Sequence, residues 1–129
     1  MHRMMMAAAM LLLPAAAQAA SLVTSPAIGS DAGDLHCSIQ YIGTSTVPIA
    51  VQITAKQGNV VLRQDRTARL TAARPSYSLS LECAPGSNEC YNVICAFSFT
   101  ADKSLFRASA CLTSSLSANN GAQLCMPAY

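Results

Sequence analysis

Three sets of residues in this chain have side chains that could do chemistry: the cysteines, a histidine and a run of basic residues. Six cysteines are present among 129 residues, and their spacing contains no C-x-x-C pair. Zinc sites, iron–sulfur clusters and thioredoxin-type redox centres use such pairs, so we expect neither a metal nor a redox role. The even number instead predicts three structural disulfides, for which fifteen connectivities exist. The six residues are Cys37, Cys83, Cys90, Cys95, Cys111 and Cys125.

His36 is the only histidine that follows His2, so Ser-His or Cys-His catalysis would have to use it. Asp34 lies two residues earlier, on one face of a predicted strand, where it could orient the imidazole. A pair of this kind is more often a solvated strand edge, and a blue-copper site needs a second histidine. Glu82 and Glu89 flank a Pro-Gly loop between two cysteines and are expected to form its solvated rim. The sequence therefore predicts no catalytic residue, no cofactor and no enzyme activity.

A run of basic residues is the one charge asymmetry of the chain, with Asp65 as the only acid within it. Clustered guanidinium groups hold phosphate or carboxylate groups bidentately, which indicates an anionic envelope polymer as a partner. The alternative is that these side chains cover the solvent face of two strands and protect a sheet edge from aggregation. A net charge of +2 and the lack of interleaved aromatic residues argue against nucleic acid. The candidate anion-binding residues are Lys56, Arg63, Arg66, Arg69 and Arg74.

Residues 1–19 have the features of a secretory signal peptide. A basic start is followed by an apolar stretch over 4–13 and by an Ala-Gln-Ala cleavage pattern that ends at Ala19. The apolar stretch is about half the ~20 residues that a transmembrane helix needs, so we expect no transmembrane anchor. Cleavage would place the protein in the periplasm or outside the cell, where disulfides form. Residues 20–34 would then be a flexible N-terminal extension, and residues 35–129 a single domain.

The elements that must position these residues are predicted to be strands. Apolar and polar residues alternate with a period of two in five segments, which is typical of half-buried antiparallel strands. Gly, Pro and Asn separate the segments, as in a sandwich or a small closed sheet. The best helical candidate, 64–73, has a weak apolar stripe, and a candidate edge strand lies near Leu22 and Val23. The five segments span residues 35–42, 47–55, 76–83, 91–99 and 106–112.

Turn signals and the alternation select one disulfide connectivity. The second and third cysteines bracket a turn-forming Ala-Pro-Gly-Ser-Asn-Glu segment, so we pair them locally. The last two flank a segment typical of the connection between two late strands. The first and fourth remain, and both lie on apolar faces, as a bridge across the core requires. The chain-entropy model gives about 4 kcal/mol for this bridge and roughly 2–3 kcal/mol for each local one. The predicted disulfides are Cys37–Cys95, Cys83–Cys90 and Cys111–Cys125.

Parts of the chain resemble a known family. Similarity to the opening of bacterial immunoglobulin-like domains is carried by Cys37-Ser-Ile-Gln-Tyr-Ile-Gly-Thr, Val51-Gln-Ile53 and Gly58-Asn-Val60-Val61. Cys95-Ala-Phe97 and the run from Phe106 to Cys111 are similar to small exported bacterial proteins without an assigned function. The resemblance extends from the first cysteine to the last and supplies no catalytic residue. It implies an all-β fold: a small immunoglobulin-like antiparallel β-sandwich of about seven strands, stapled by three disulfides.

These observations predict an exported, non-catalytic binding or envelope-associated structural module. Its partner would be an anionic envelope polymer or another exported protein. The alternative is a secreted inhibitor-like or ligand-binding domain that makes its contact through the disulfide loop 84–89. The two interpretations differ in the contact surface, which is the basic residues in one and the loop in the other.

Overall fold

The computed structural model describes the chain in four stretches, residues 19–28, 33–83, 90–114 and 123–129. Regular structure in these stretches is β-strand, apart from one short 3-10 turn, Lys103–Leu105. Eight strands have five or more residues and one has two, against about seven predicted. They are β1 (Ala19–Val23), β2 (Ala27–Ile28), β3 (Gly33–Tyr41), β4 (Ile49–Gln57), β5 (Val60–Leu70), β6 (Ser76–Cys83), β7 (Tyr91–Thr100), β8 (Phe106–Ser114) and β9 (Gln123–Pro127).

Two antiparallel sheets make up the fold, which confirms the predicted all-β sandwich. The first sheet has the strand order β5–β4–β7–β1, and the short β2 also pairs with β7. The second sheet has the order β6–β3–β8–β9. Strands β4 and β5 form a hairpin within the first sheet, whereas the chain changes sheet after β2, β3, β5, β6 and β7. Most neighbours within a sheet are therefore distant in sequence.

The core lies between the sheets and is built from the apolar sides of the alternating strands. Every second residue of β7 from Val93 to Phe99 is buried, and so is every second residue of β3 from Leu35 to Tyr41. The rings of Phe99 and Phe106, one from each sheet, have their centroids 4.0 Å apart. Each large apolar side chain that is fully buried contributes roughly 1.5–3 kcal/mol. These central strands hold the two sheets together.

The predicted core disulfide is confirmed. Cys37 of β3 is bonded to Cys95 of β7, with their Cα atoms 5.6 Å apart. Both residues are at most 1% exposed, so the bridge crosses the core from one sheet to the other. Its position agrees with the alternation, which placed both residues on apolar faces.

The two local disulfides are confirmed as well. Cys83, at the end of β6, is bonded to Cys90, while the loop 84–89 between them lies outside the described residues. Cys111 and Cys125 occupy directly opposite positions on β8 and β9 and are bonded to each other. Cys111 alternates with residues of β8 that face the core, so this bridge lies on the outer face of the second sheet.

Pairing overrides local preference in β5. Residues 64–73 contain several good helix formers, yet Val60–Leu70 is a strand. The reason is tertiary, because Ala68 and Leu70 are buried in the core and the strand pairs with β4 along its length. A two-residue turn allows the hairpin, and Gly58 adopts φ +58° there, a conformation that favours glycine. Two register shifts interrupt the β4–β5 pairing, which explains why the sequence of β5 shows no clean alternation.

The two ends of the described chain meet on one side of the sandwich and connect the two sheets there. β1 pairs along β7 and buries Leu22, which confirms the candidate edge strand near Leu22 and Val23. Val23 and Tyr129 exchange two backbone hydrogen bonds of 3.1 and 3.2 Å, which link β1 to the residues after β9. The edges formed by β5 and β6 lie on the opposite side of the sandwich.

The predicted signal peptide lies outside the described residues except for Ala19, the first residue of β1. The stretch 20–34, interpreted from the sequence as an extension, contributes most of β1, all of β2 and the first residues of β3. These strands pair with β7 and with the neighbours of β3.

Candidate functional site

The predicted anion-binding residues lie on and around β5, and the β4–β5 pairing decides which face each one occupies. Directly opposite residues of antiparallel strands share a face of the sheet. Arg69 lies opposite Ala50, which is exposed on the outer face, whereas Arg63 lies opposite Ala55, which is buried in the core. The predicted set is therefore divided between the two faces of the sheet.

Lys56, Arg66 and Arg69 lie on the outer face of the first sheet, and we call these three residues the basic face. Lys56 belongs to the alternate residues of β4 that point away from the core. Arg66 lies at the first register shift and lines, with Gln52 and Ser98, a shallow depression of about 330 Å³. The structure thus places three of the five predicted residues on one face. They are spread along it, because Lys56 lies six residues along β4 from Ala50, the residue opposite Arg69, which is about 20 Å of strand.

Hydrogen bonds fix the two arginines of the basic face. Gln64 donates from Nε2 to Thr54 Oγ1 at 3.0 Å and accepts from Arg66 Nε at 3.1 Å. Arg69 donates through Nη1 to the backbone carbonyls of Arg66 and Ala68, each at 2.9 Å. Within the described part of the chain, both Nη groups of Arg66 and Nη2 of Arg69 make no hydrogen bond. These donors are available for a phosphate or carboxylate group.

The acidic residues in the described stretches lie away from the basic face. Asp34 and Glu82 are opposite each other on the second sheet. Asp65 is opposite Ile53, on the core-facing side of β5, and Asp102 precedes the 3-10 turn. The three cations consequently share an outer face on which no described carboxylate is present.

Arg63 lies near a contact between β5 and β6, the edge strands of the two sheets. Tyr77, Asp65 and Thr67 form this contact, which we call the joint. Tyr77 of β6 donates its hydroxyl hydrogen to Asp65 Oδ2, and Thr67 donates its N–H and its hydroxyl to Oδ1 at 2.6 and 2.7 Å. The bond from Tyr77, then those from Thr67, and the positive charge of Arg63 lower the pKa of Asp65 from 3.8 to about 2. The charge of Arg63 therefore acts on a carboxylate of its own strand, on the side away from the basic face.

Arg74 lies outside the basic face as well. It belongs to the turn between β5 and β6, where its N–H donates to the carbonyl of Thr71 at 3.2 Å and to Thr71 Oγ1 at 3.0 Å. Its exposed side chain immediately precedes Pro75 and the start of β6.

The outer face of the second sheet is rich in hydroxyl groups. Ser78, Ser38 and Ser109 occupy one row across β6, β3 and β8, and the hydroxyl oxygens of Ser38 and Ser78 are 3.0 Å apart. A shallow groove of about 610 Å³ runs over this row, and Gln40 and Arg107 also line it. The two outer faces therefore differ, one offering cations and the other mostly neutral hydroxyls.

His36 is hydrogen-bonded to a residue that the sequence did not indicate. Its Nδ1 lies 2.9 Å from Ser80 Oγ on β6, across a sequence separation of 44. Asp34, which we considered as the group that orients the imidazole, instead lies opposite Glu82 and Thr113. Among the described side chains no third group holds the imidazole by a hydrogen bond. Only strand pairing reveals Ser80, because the sequence shows merely three serines at alternate positions of β6.

Within the described stretches, no three His, Cys, Asp or Glu side chains lie together as metal ligands would. No helix there is long and apolar enough to cross a membrane. Comparison with protein-family models, with curated proteins and with solved structures gave no match to this chain. Function is therefore inferred from the chemistry of the two outer faces and the open edges.

Proposed function

We propose that this protein is an exported, non-catalytic immunoglobulin-like module that binds an anionic envelope polymer through the basic face. The observation that carries the proposal is the placement of Lys56, Arg66 and Arg69 on one outer face without a described carboxylate. Three cations on one open sheet face suit a chain of repeated phosphate or carboxylate groups better than a single small anion, since each cation meets a separate group.

The state of the two arginines supports this function. Arg66 is oriented through Gln64, and Arg69 is anchored on backbone carbonyls, so both guanidinium groups lose little freedom when an anion binds. Arg66 keeps two terminal nitrogens for a bidentate contact. The adjoining depression, lined by Gln52 and Ser98, adds neutral hydrogen-bonding groups beside the charge.

Two further features support export and the immunoglobulin-like assignment. Three disulfides are typical of proteins from oxidising compartments. A bridge through the core between the two sheets, as between Cys37 and Cys95, is also the arrangement of immunoglobulin domains. Cleavage after Ala19 would remove the predicted signal peptide, and the intact mass of the exported protein tests it. A mass that retains residues 1–19 would contradict export by cleavage at this site.

The binding proposal is tested with immobilised polyphosphate and with isolated bacterial envelopes. Replacing Lys56, Arg66 and Arg69 together by serine should weaken retention roughly tenfold, since three exposed ionic contacts of about 0.5 kcal/mol each sum to about 1.5 kcal/mol. Retention of the unaltered protein should fall steeply with salt, because exposed charges are screened over ~10 Å at 0.1 M.

The matched control removes three other positive charges, with the same change in net charge. Serine at Arg63, Lys103 and Arg107 should leave retention close to that of the unaltered protein, because none of these residues belongs to the basic face. Replacement of the loop 84–89 should also have little effect, whereas strong loss with that variant alone would favour the inhibitor-like alternative. Equal losses in both triple variants, or retention that does not change with salt, would contradict a specific basic face.

A further inference from the structure

Strand β6 has an unpaired edge whose backbone groups can be assigned residue by residue. The N–H of Tyr41 donates to the carbonyl of Pro75 at 2.7 Å, which continues the β3–β6 register by one position. Bonded and non-bonded pairs alternate along antiparallel strands, so every second residue from Tyr77 onward is bonded to β3. The N–H and C=O groups of the residues between them point away from β3. Those residues are Ser76, Ser78, Ser80 and Glu82.

Side-chain contacts agree with this assignment. Ser78 is hydrogen-bonded to Ser38, and Ser80 to His36, as expected where non-bonded pairs bring side chains closest. The four residues on the free side of β6 are all exposed. Among the described strands β6 pairs only with β3, so it presents a row of four N–H donors and four C=O acceptors at the edge.

β6 lacks the features that usually protect a sheet edge. Its pairing with β3 runs without a register shift, and its only charged residue is Glu82, near the end. The other edges differ, because β5 has two register shifts and several arginines, β1 is bonded to Tyr129, and β9 is short and ends at Pro127. A regular edge that is nearly uncharged is a template for the addition of another strand.

The charges at the two ends of β6 indicate a strand of the same sequence in antiparallel orientation. Arg74 precedes the strand, and Glu82 lies next to its last residue. Glu82 is also directly opposite Asp34 on β3, and like charges in that position destabilise a strand pair. An antiparallel second copy would bring an arginine to these carboxylates, and two-fold symmetry would do so at both ends. A parallel copy would instead place Glu82 beside Glu82.

We propose that two copies of this protein associate by antiparallel pairing of their β6 edges, with a two-fold axis at Leu79. In this register Ser78 lies opposite Ser80 of the partner subunit, and Ser76 lies opposite Glu82 of the partner subunit. The four bonded pairs make about eight backbone hydrogen bonds. Arg74 of the partner subunit becomes a diagonal neighbour of Glu82, which is within reach of a long side chain.

The same register also covers apolar surface on the core-facing side of the edge. Tyr77 and Leu81 are half-buried in the single chain. Pairing places Tyr77 opposite Leu81 of the partner subunit, and an aromatic ring against an aliphatic side chain is a favourable cross-strand pair. The four-stranded second sheet of each subunit joins that of the other to form one sheet of eight strands. The hydroxyl-rich outer faces of the two subunits then lie on the same side of this sheet. This association does not depend on polymer binding by the basic face.

Sedimentation of the disulfide-bonded protein tests the association directly. The unaltered protein should sediment at twice the chain mass at micromolar to millimolar concentrations. Ser78→Pro removes one N–H of the free edge in each subunit, at a position where proline is tolerated because that N–H faces solvent. We expect it to weaken the dimer at least about tenfold, since both copies lose a bond at once. Ser78→Ala is the matched control and should remain dimeric, because it keeps the N–H.

A charge exchange tests the orientation. Glu82→Lys and Arg74→Glu should each weaken the dimer severalfold, and the double variant should restore it, because the ends then attract again with reversed signs. Near-ultraviolet circular dichroism of each variant shows that the fold is retained. The proposal is overturned by a monomer at every concentration. It is also overturned by a dimer that tolerates Ser78→Pro as well as Ser78→Ala, or by a double variant that stays as weak as the single ones.

Discussion

β5 and β6 are the edge strands on one side of the sandwich, and they differ in the features that protect an edge from pairing with a foreign strand. β5 has eleven residues, two register shifts and three arginines, so its edge is irregular and positively charged. β6 has eight residues, an uninterrupted register and a single charge. Bulges and cations are what keep a foreign strand from adding to an edge. The difference indicates that β5 is protected from strand addition, whereas β6 is left free for it.

β5 and β6 also contact each other, and among the described residues one side-chain hydrogen bond joins them. Tyr77 of β6 donates to Asp65 of β5, and Thr67 holds the same carboxylate on its own strand. This joint ties the core-facing side of β5 to β6 while the arginines of the basic face point to the other side. β5 thus stabilises β6 through this joint and leaves the free N–H and C=O groups of β6 uncovered.

The largest expected effect on the free energy of unfolding is that of proline in β6. Proline on the side bonded to β3 should cost far more than proline on the free side. Leu79→Pro removes a bond to β3 and a buried side chain that is 6% exposed, so we expect the free energy of unfolding to fall by at least ~4 kcal/mol. Ser78→Pro affects only the free edge, and we expect a loss below about 1 kcal/mol in the monomer. Urea unfolding of both variants at low protein concentration measures the difference. Similar losses would mean that the assignment of the two sides of β6 is wrong.

An intermediate effect is expected at the turn that sets the register of β5. Gly58 has φ +58° with nothing within 4 Å of an added Cβ, so the cost of Gly58→Ala is conformational rather than steric. We expect a loss of roughly 1 kcal/mol in the free energy of unfolding. Asn59→Ala, in the same turn, is the control and should change it by less than about 0.5 kcal/mol. A neutral Gly58→Ala would indicate that the hairpin does not impose this backbone conformation.

The smallest expected effect concerns the joint between the edges and depends on pH. Because hydrogen bonds lower the folded-state pKa of Asp65 to about 2, its ionised form stabilises the fold above pH 3.8, and this contribution is lost as the pH falls towards 2. Tyr77→Phe removes the largest cause, so the pKa of Asp65 should rise towards 3.8. NMR titration of the carboxyl measures that shift. The stability difference between the two proteins should be greatest above pH 4 and should shrink on acidification, and a difference independent of pH would contradict this account.

Local pattern was sufficient to predict much of the fold. The alternation in β3, β6 and β7 gave both the strands and their buried sides. The turn-rich segments gave the two local disulfides, and the two remaining cysteines, both on apolar faces, gave the core disulfide. β5 was the exception, because its register shifts remove the alternation and its residues favour a helix locally. Only the burial of Ala68 and Leu70 against the core makes it a strand.

The candidate sites were less predictable, since each depends on neighbours in space. Five basic residues were close in sequence, yet the register shifts place Arg63 beside Asp65 on the core-facing side and leave Arg66 and Arg69 outside. Similarly, the sequence offered Asp34 as the residue that could orient His36, whereas Ser80 is its hydrogen-bond partner. A spacing of two or three residues fixes the face only when the strand has no bulge.

By itself, the sequence determined the β class, the buried side of most strands and all three disulfides, because a period of two and a tight turn are local properties of the chain. The tertiary structure alone decided which strands became edges, since a sheet order is set by side chains that pack across two layers. It therefore also decided which basic residues share a face and which backbone groups of β6 remain unpaired, and these are the features from which binding and self-association are inferred.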